Sequence, residues 1–172
     1  MKKVWVAGLM ALATTAASAA EGLYAGATYS TISVTDSSVP GVKVDLDALG
    51  VLGGYRFNDH VAVEGRLSTG VKDERLGNAK FSLDSYVGVN ALGTLPLNAS
   101  GFSLYGTLGY GRVEVSASAP GVSASGSETS VSYGAGLMFT SGRFAVRGGY
   151  ESLFDKQGVE GDGVTLTATY AF

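Results

Sequence analysis

The chain has no cysteine, three prolines, one histidine and no excess of basic residues. Without cysteine no disulfide staples the fold and no thiolate is available for catalysis. The formal net charge of −3 argues against a nucleic-acid partner, which calls for a basic face. Helical periodicity is also missing after Glu21, so helical bundles and doubly wound folds are not expected.

The first apolar run is short. Val4 to Leu12 follows Lys2 and Lys3 and cannot span a bilayer as a helix. Ala17-Ser18-Ala19 then offers small residues for cleavage, as Ser18-Ala19-Ala20 does one residue later. Residues 1–20 are therefore expected to be an export signal, and residues 21–172 the mature domain. Losing Lys2 and Lys3 takes the formal charge from −3 to −5.

What the chain has in quantity is glycine (26), tyrosine (9) and phenylalanine (7), set in runs that alternate apolar and polar residues. That alternation predicts strands at about 22–34, 42–57, 60–72, 79–97, 102–116, 129–140, 143–153 and 162–172. The predicted connections alternate in length. Asn58-Asp59, Asn98–Gly101 and Ser141-Gly142 are tight, whereas Thr35–Gly41, Asp73–Asn78, Ala117–Glu128 and Phe154–Gly161 are longer. An all-β, eight-stranded, antiparallel up-and-down barrel has this asymmetry when it crosses an outer membrane, with short periplasmic turns and long external loops.

Alternation alone does not say which face looks inward. Apolar faces such as Leu49, Val51, Tyr55 and Phe57, or Val131, Tyr133, Leu137 and Phe139, could line a soluble barrel or meet lipid. Aromatic placement decides. Tyr55, Phe57, Tyr105, Phe139, Phe144, Tyr170 and Phe172 fall beside the short turns or the last strand's end, as an interfacial girdle requires. About ten residues at ~3.3 Å each, tilted ~45°, also span the ~25 Å apolar band. The apolar faces are thus expected to meet lipid. Arg56, Glu64, Arg66, Asp84, Arg112, Glu114, Arg147 and Glu151 then form an interior charge network.

Several segments resemble the OmpX/Ail type of small eight-stranded outer-membrane protein. They are Gly53-Gly54-Tyr55-Arg56-Phe57, Tyr105-Gly106 with Gly109-Tyr110-Gly111, Ser132–Leu137, Phe144–Glu151 and the closing Tyr170-Ala171-Phe172. The resemblance covers essentially the whole mature chain. It implies that Tyr170 and Phe172 act as the signal read by the barrel-assembly machinery. One departure is the third external loop, 116–130, which is mostly Ser, Ala and Gly around Pro120-Gly121 rather than a charged or aromatic strand-like hairpin. No peptidoglycan-binding domain is expected after the barrel.

Small barrels are filled by side chains, so the interior charges read first as a structural plug of ion pairs and second as a narrow ion path. No catalytic site is expected. His60 follows a tight turn at the periplasmic rim, away from any external serine. Asp45 and Asp47 share a face and could meet Asp73 or Asp162 around Ca²⁺, but the simpler reading is a solvated strand end, with no metal and no cofactor. The Gly109/Gly111 and Gly134/Gly136 pairs precede no helix, so they cradle no phosphate. Lys72, Arg75 and Lys80 in the second external loop are candidate contacts for lipopolysaccharide phosphates. The expected protein is a monomeric, non-enzymatic outer-membrane barrel. An adhesin or resistance factor is the alternative, and a small low-conductance pore is a third possibility.

Overall fold

The computed structural model describes residues 22–36, 43–71, 74–76, 79–97, 101–119, 122–156 and 159–172. The expected export signal lies outside the described residues. Nine strands follow in order: β1 (Gly22–Asp36), β2 (Lys43–Arg56), β3 (Val61–Gly70), β4 (Glu74–Leu76), β5 (Ala79–Pro96), β6 (Phe102–Ala119), β7 (Val122–Ser141), β8 (Phe144–Lys156) and β9 (Val159–Ala171). β4 is a three-residue ribbon on the upper end of β5. The other eight close a ring of antiparallel neighbours, with β1 against β9 and β3 against β5 completing it. Closure removes the open edges that a flat sheet would leave within the lipid.

Tight turns hold one end. Asn58 Oδ1 accepts from the backbone N–H of His60 at 2.8 Å and of Val61 at 2.9 Å, a side-chain-made turn between β2 and β3. Gly142, between β7 and β8, has φ +58°, a left-handed conformation that costs glycine little.

At the other end the strands extend. β6 and β7 pair from Phe102↔Phe139 up to Ala119↔Val122. The expected loop over 117–128 is therefore largely a strand hairpin. Alternation was weak there because Ser, Ala and Gly carry little hydropathy contrast. Their backbones nonetheless complete the ladder, so the projection is strand-like while its side chains remain mostly the small Ser, Ala and Gly. β8 leaves β7 at Tyr133↔Ser152. Among the described residues, β7 from 122 to 132 pairs with β6 alone.

The outer wall is apolar. Leu49, Val51, Val61, Val63, Leu67, Val87, Val89, Leu108, Val131, Leu137, Val146, Val164 and Leu166 are all exposed. A water-soluble protein would hide such a continuous surface. No helix among the described residues is long and apolar enough to cross a membrane. Aromatic residues ring the tight-turn end. Tyr55 meets Phe57 with centroids 5.1 Å apart, Phe102 meets Phe139 at 4.9 Å, and Tyr170 lies between Phe144 at 4.9 Å and Phe172 at 5.6 Å. Tyr105, expected in this girdle, instead points into the barrel and is buried. The outward residues of β6 carry even numbers, and Phe102 takes the girdle position.

Candidate functional site: a bridged lumen and an outer polar margin

The interior is layered. Near the tight turns Tyr24, Leu52, Ala62, Leu92, Tyr105, Met138 and Ala145 form one buried apolar cluster. Towards the external end Ile32, Leu46, Ala48 and Leu153 form a second, with Val113 packed on it. Between them lies a polar layer containing Glu64, Arg66, Arg147 and Glu151, each no more than 5% exposed. Thr28, Ser30, Thr165 and Thr167 are buried in the same layer.

Two ion pairs cross this layer. Arg147 donates to both oxygens of Glu64 at 2.6 and 2.5 Å, and Arg66 to both oxygens of Glu151 at 2.7 and 3.0 Å. Both are two-pronged, the geometry that a planar guanidinium gives with a carboxylate. Glu64 and Arg66 lie on β3, Arg147 and Glu151 on β8. In ring order these strands are four positions apart out of eight, so each pair bridges opposite walls. Neighbours add to the bonding, although Arg66 Nε is buried with no hydrogen-bond partner. Tyr24 donates to Glu64 Oε1 at 2.7 Å, Thr165 donates to Glu151 Oε2 at 3.1 Å, and Arg147 lies 5.5 Å from the centroid of the Tyr105 ring.

Glycines make room for the large side chains. A Cβ on Gly54 would lie 2.5 Å from Tyr24 Cζ, and one on Gly88 2.7 Å from Tyr86 Cζ. Tyrosine rings thus lie against bare stretches of the wall.

The other four expected interior charges are elsewhere. Arg56 is half-buried at the tight-turn mouth, its guanidinium 5.7 Å from the centroid of the Tyr24 ring, and it takes no part in the cross-lumen pairs. Arg112, Glu114 and Asp84 do not join the interior network: all three are exposed on the outer wall. Arg112 and Glu114 share the parity of the outward Leu108 and Tyr110. Asp84 sits in a bulge, where the β5–β6 register passes from Leu83↔Val115 to Ser85↔Glu114. A bulge puts one extra residue into the strand and shifts its alternation. Asp84 is thereby turned out to accept from the Ser116 hydroxyl, while Ser85 donates to Glu114 at 3.3 Å.

Height explains how charges can face outward. Arg112 follows Phe102 by ten residues, roughly 23 Å along the membrane normal for a strand tilted ~45°. It therefore stands at the far margin of the apolar band. There it donates to Ser127 at 2.8 Å and lies 3.6 Å from Glu114. Asp47 is likewise ten residues from Phe57 and accepts from Thr31 at 3.0 Å, while Asp45 accepts from Ser33 at 2.6 Å. These contacts lie at the margin of the apolar band away from the tight turns.

The remaining expected sites are placed as follows. His60 is exposed beside its turn, with Nδ1 3.1 Å from the carbonyl of Thr94. Among the described residues no cluster of His, Asp or Glu could hold a metal ion. Lys72 lies outside the described residues, and the backbones of Arg75 and Lys80 pair in the β4–β5 register. Tyr170 and Phe172 belong to the girdle.

The model of the outer membrane protein beta-barrel domain family matches residues 4–172. The chain belongs to this outer-membrane β-barrel family. Among solved structures it is similar to Ail, the attachment invasion locus protein of Yersinia pestis, at 26% identity and a TM-score of 0.66, covering 88% of this chain and 99% of that one. Neisserial surface protein A is similar in fold at 16% identity and a TM-score of 0.68, covering 89% and 99%. So is the N-terminal barrel of Pseudomonas aeruginosa OprF, at 12% and 0.55, covering 84% and 97%. No curated protein sequence matches the chain. Membership places this barrel in the bacterial outer membrane. It fits the OmpX/Ail resemblance read from the sequence.

Proposed function

We propose that the protein is a non-enzymatic outer-membrane barrel that supports envelope structure and carries surface interactions, exported by residues 1–20 and sealed by its interior ion pairs. The observation that carries this reading is the pair of cross-lumen bridges between two apolar clusters. Buried charges joined in this way brace opposite walls, and an eight-stranded barrel is narrow enough for side chains to fill. His60, the one histidine of the chain, lies beside the tight β2–β3 turn, at the end of the barrel away from the external hairpins. As a closed barrel it needs no partner to cover a membrane-embedded edge, which favours a monomer. Tyr170 and Phe172 serve as the assembly signal.

Surface contact is assigned to the external end. Lys72, Arg75 and Lys80 bind lipopolysaccharide phosphates, supported by the cross-strand Arg75↔Lys80 pair. The adhesin reading draws on the hairpin of β6 and β7, which projects beyond the end of the β7–β8 pairing at Tyr133↔Ser152. The Ail structure has been determined in complex with the heparin analogue sucrose octasulfate, which makes sulfated glycans a reasonable first probe here.

A complementation experiment separates the roles. Cells lacking the protein should admit detergent more readily, and a version shortened by residues 117–124, which keeps Val113 and the Val115↔Gly126 pair, should restore the barrier while failing to bind sulfated glycan. Loss of barrier rescue in the shortened version would assign the envelope role to the hairpin and overturn the division proposed.

A further inference from the structure

The periplasmic margin of the outer wall carries a cation set against the aromatic girdle. Arg143 completes the turn between β7 and β8 and is exposed. Its backbone is fixed, since its carbonyl accepts from the N–H of Ala171 at 2.8 Å. Its guanidinium is steered too, with Nη1 donating to Tyr170 Oη at 3.4 Å. Tyr170 is itself held edge-on between the Phe144 and Phe172 rings.

This places a positive group one residue below Phe144, the outermost apolar residue of β8. Aromatic girdles sit at headgroup level, so a cation just beyond one lies in the phosphate layer. A guanidinium has five N–H donors, and one contact to Tyr170 leaves most of them to meet an anion. Above it Val146 and Ala168 pair across β8 and β9 and face outward, a smooth apolar track suited to an acyl chain. Anionic headgroup and hydrocarbon tail thus find complementary surfaces in the right vertical order.

We propose that Arg143, steered by Tyr170, binds the phosphate of a periplasmic-leaflet phospholipid whose acyl chain lies over Phe144, Val146 and Ala168. The inference rests on the membrane orientation. It is independent of the lipopolysaccharide assignment, which concerns the opposite end of the barrel.

The test uses the whole folded barrel in detergent with equal amounts of phosphatidylglycerol and phosphatidylcholine, counting lipids retained by native mass spectrometry. The first lipid bound to the wild type should be phosphatidylglycerol by about fivefold, the preference that one interfacial arginine supplies. Arg143→Gln should bring the ratio to about one, and Arg143→Lys should keep most of the preference. Tyr170→Phe, which retains the ring, should fall between them because the guanidinium loses its steering contact. Heat-shifted gel mobility checks that each variant is folded. If Arg143→Gln does not fold, the wild-type ratio and the ordering of Arg143→Lys above Tyr170→Phe decide. A wild-type ratio near one, or an unchanged preference in Arg143→Gln, overturns the proposal.

Discussion

Glu64 on β3 and Arg147 on β8 join across the lumen by two hydrogen bonds, although 83 residues separate them. Glu64 is fully buried. Its charge is therefore tolerable only while Arg147 answers it. Arg147→Ala should destabilise the barrel by about 3–5 kcal/mol, the cost of leaving a buried charge unpaired. Replacing both residues, Glu64→Leu with Arg147→Met, should recover most of that loss. Urea unfolding in lipid vesicles followed by circular dichroism measures both. A single-variant loss below ~1 kcal/mol would mean that the pair is solvated.

The tyrosines that rest on glycine make a second case. Gly54→Val puts side-chain atoms where the Tyr24 ring lies, and overpacking of this kind costs about 1–3 kcal/mol. It should also weaken the Tyr24 bond to Glu64. Gly53→Ala, next along the strand, points to open space and should change stability by less than ~0.5 kcal/mol. Equal effects from the two, in the same unfolding assay, would contradict the alternation of inner and outer faces in β2.

Membrane depth gives a third. Val89 is 59% exposed within the apolar band, and Val89→Arg should cost about 2–4 kcal/mol in a bilayer. Arg112→Ala, at the external margin, should cost at most ~1 kcal/mol, because its exposed contacts to Glu114 and Ser127 are weak. Comparing folding yields of the two variants in vesicles checks the orientation directly.

The contrast between Val89 and Arg112 also shows how far the sequence could be read. Outward faces of β2, β3, β7, β8 and β9 were legible because Val, Leu, Tyr and Phe recur there at every second position. β6 was harder. Between Tyr105 and Tyr110 its glycines blur the alternation, so Arg112 and Glu114 were assigned inward although they continue the outward parity of Leu108 and Tyr110. Asp84 was misread for another reason. Its bulge shifts the phase of β5, and no residue type announces the extra position. The partners of the buried charges were not legible either. Glu64 meets Arg147 rather than a nearby residue only because ring closure sets β3 opposite β8.

The periplasmic turn offers a fourth prediction. Asn58→Ala removes the acceptor for the N–H groups of His60 and Val61, and a loss of about 1–2 kcal/mol should follow. His60→Ala should leave stability within ~0.5 kcal/mol, since its ring is exposed. Thermal unfolding in detergent measures both. A larger effect at His60 than at Asn58 would show that the ring, not the turn, organises this end.

The central claim is that two ion pairs and two apolar clusters close the lumen, and single-channel recording in planar bilayers tests it most directly. Purified wild-type barrel, shown to be folded by its heat-shifted gel mobility, should leave the conductance at the level of the bare membrane. Reproducible stepwise openings from that preparation would contradict a sealed interior and make the barrel a pore.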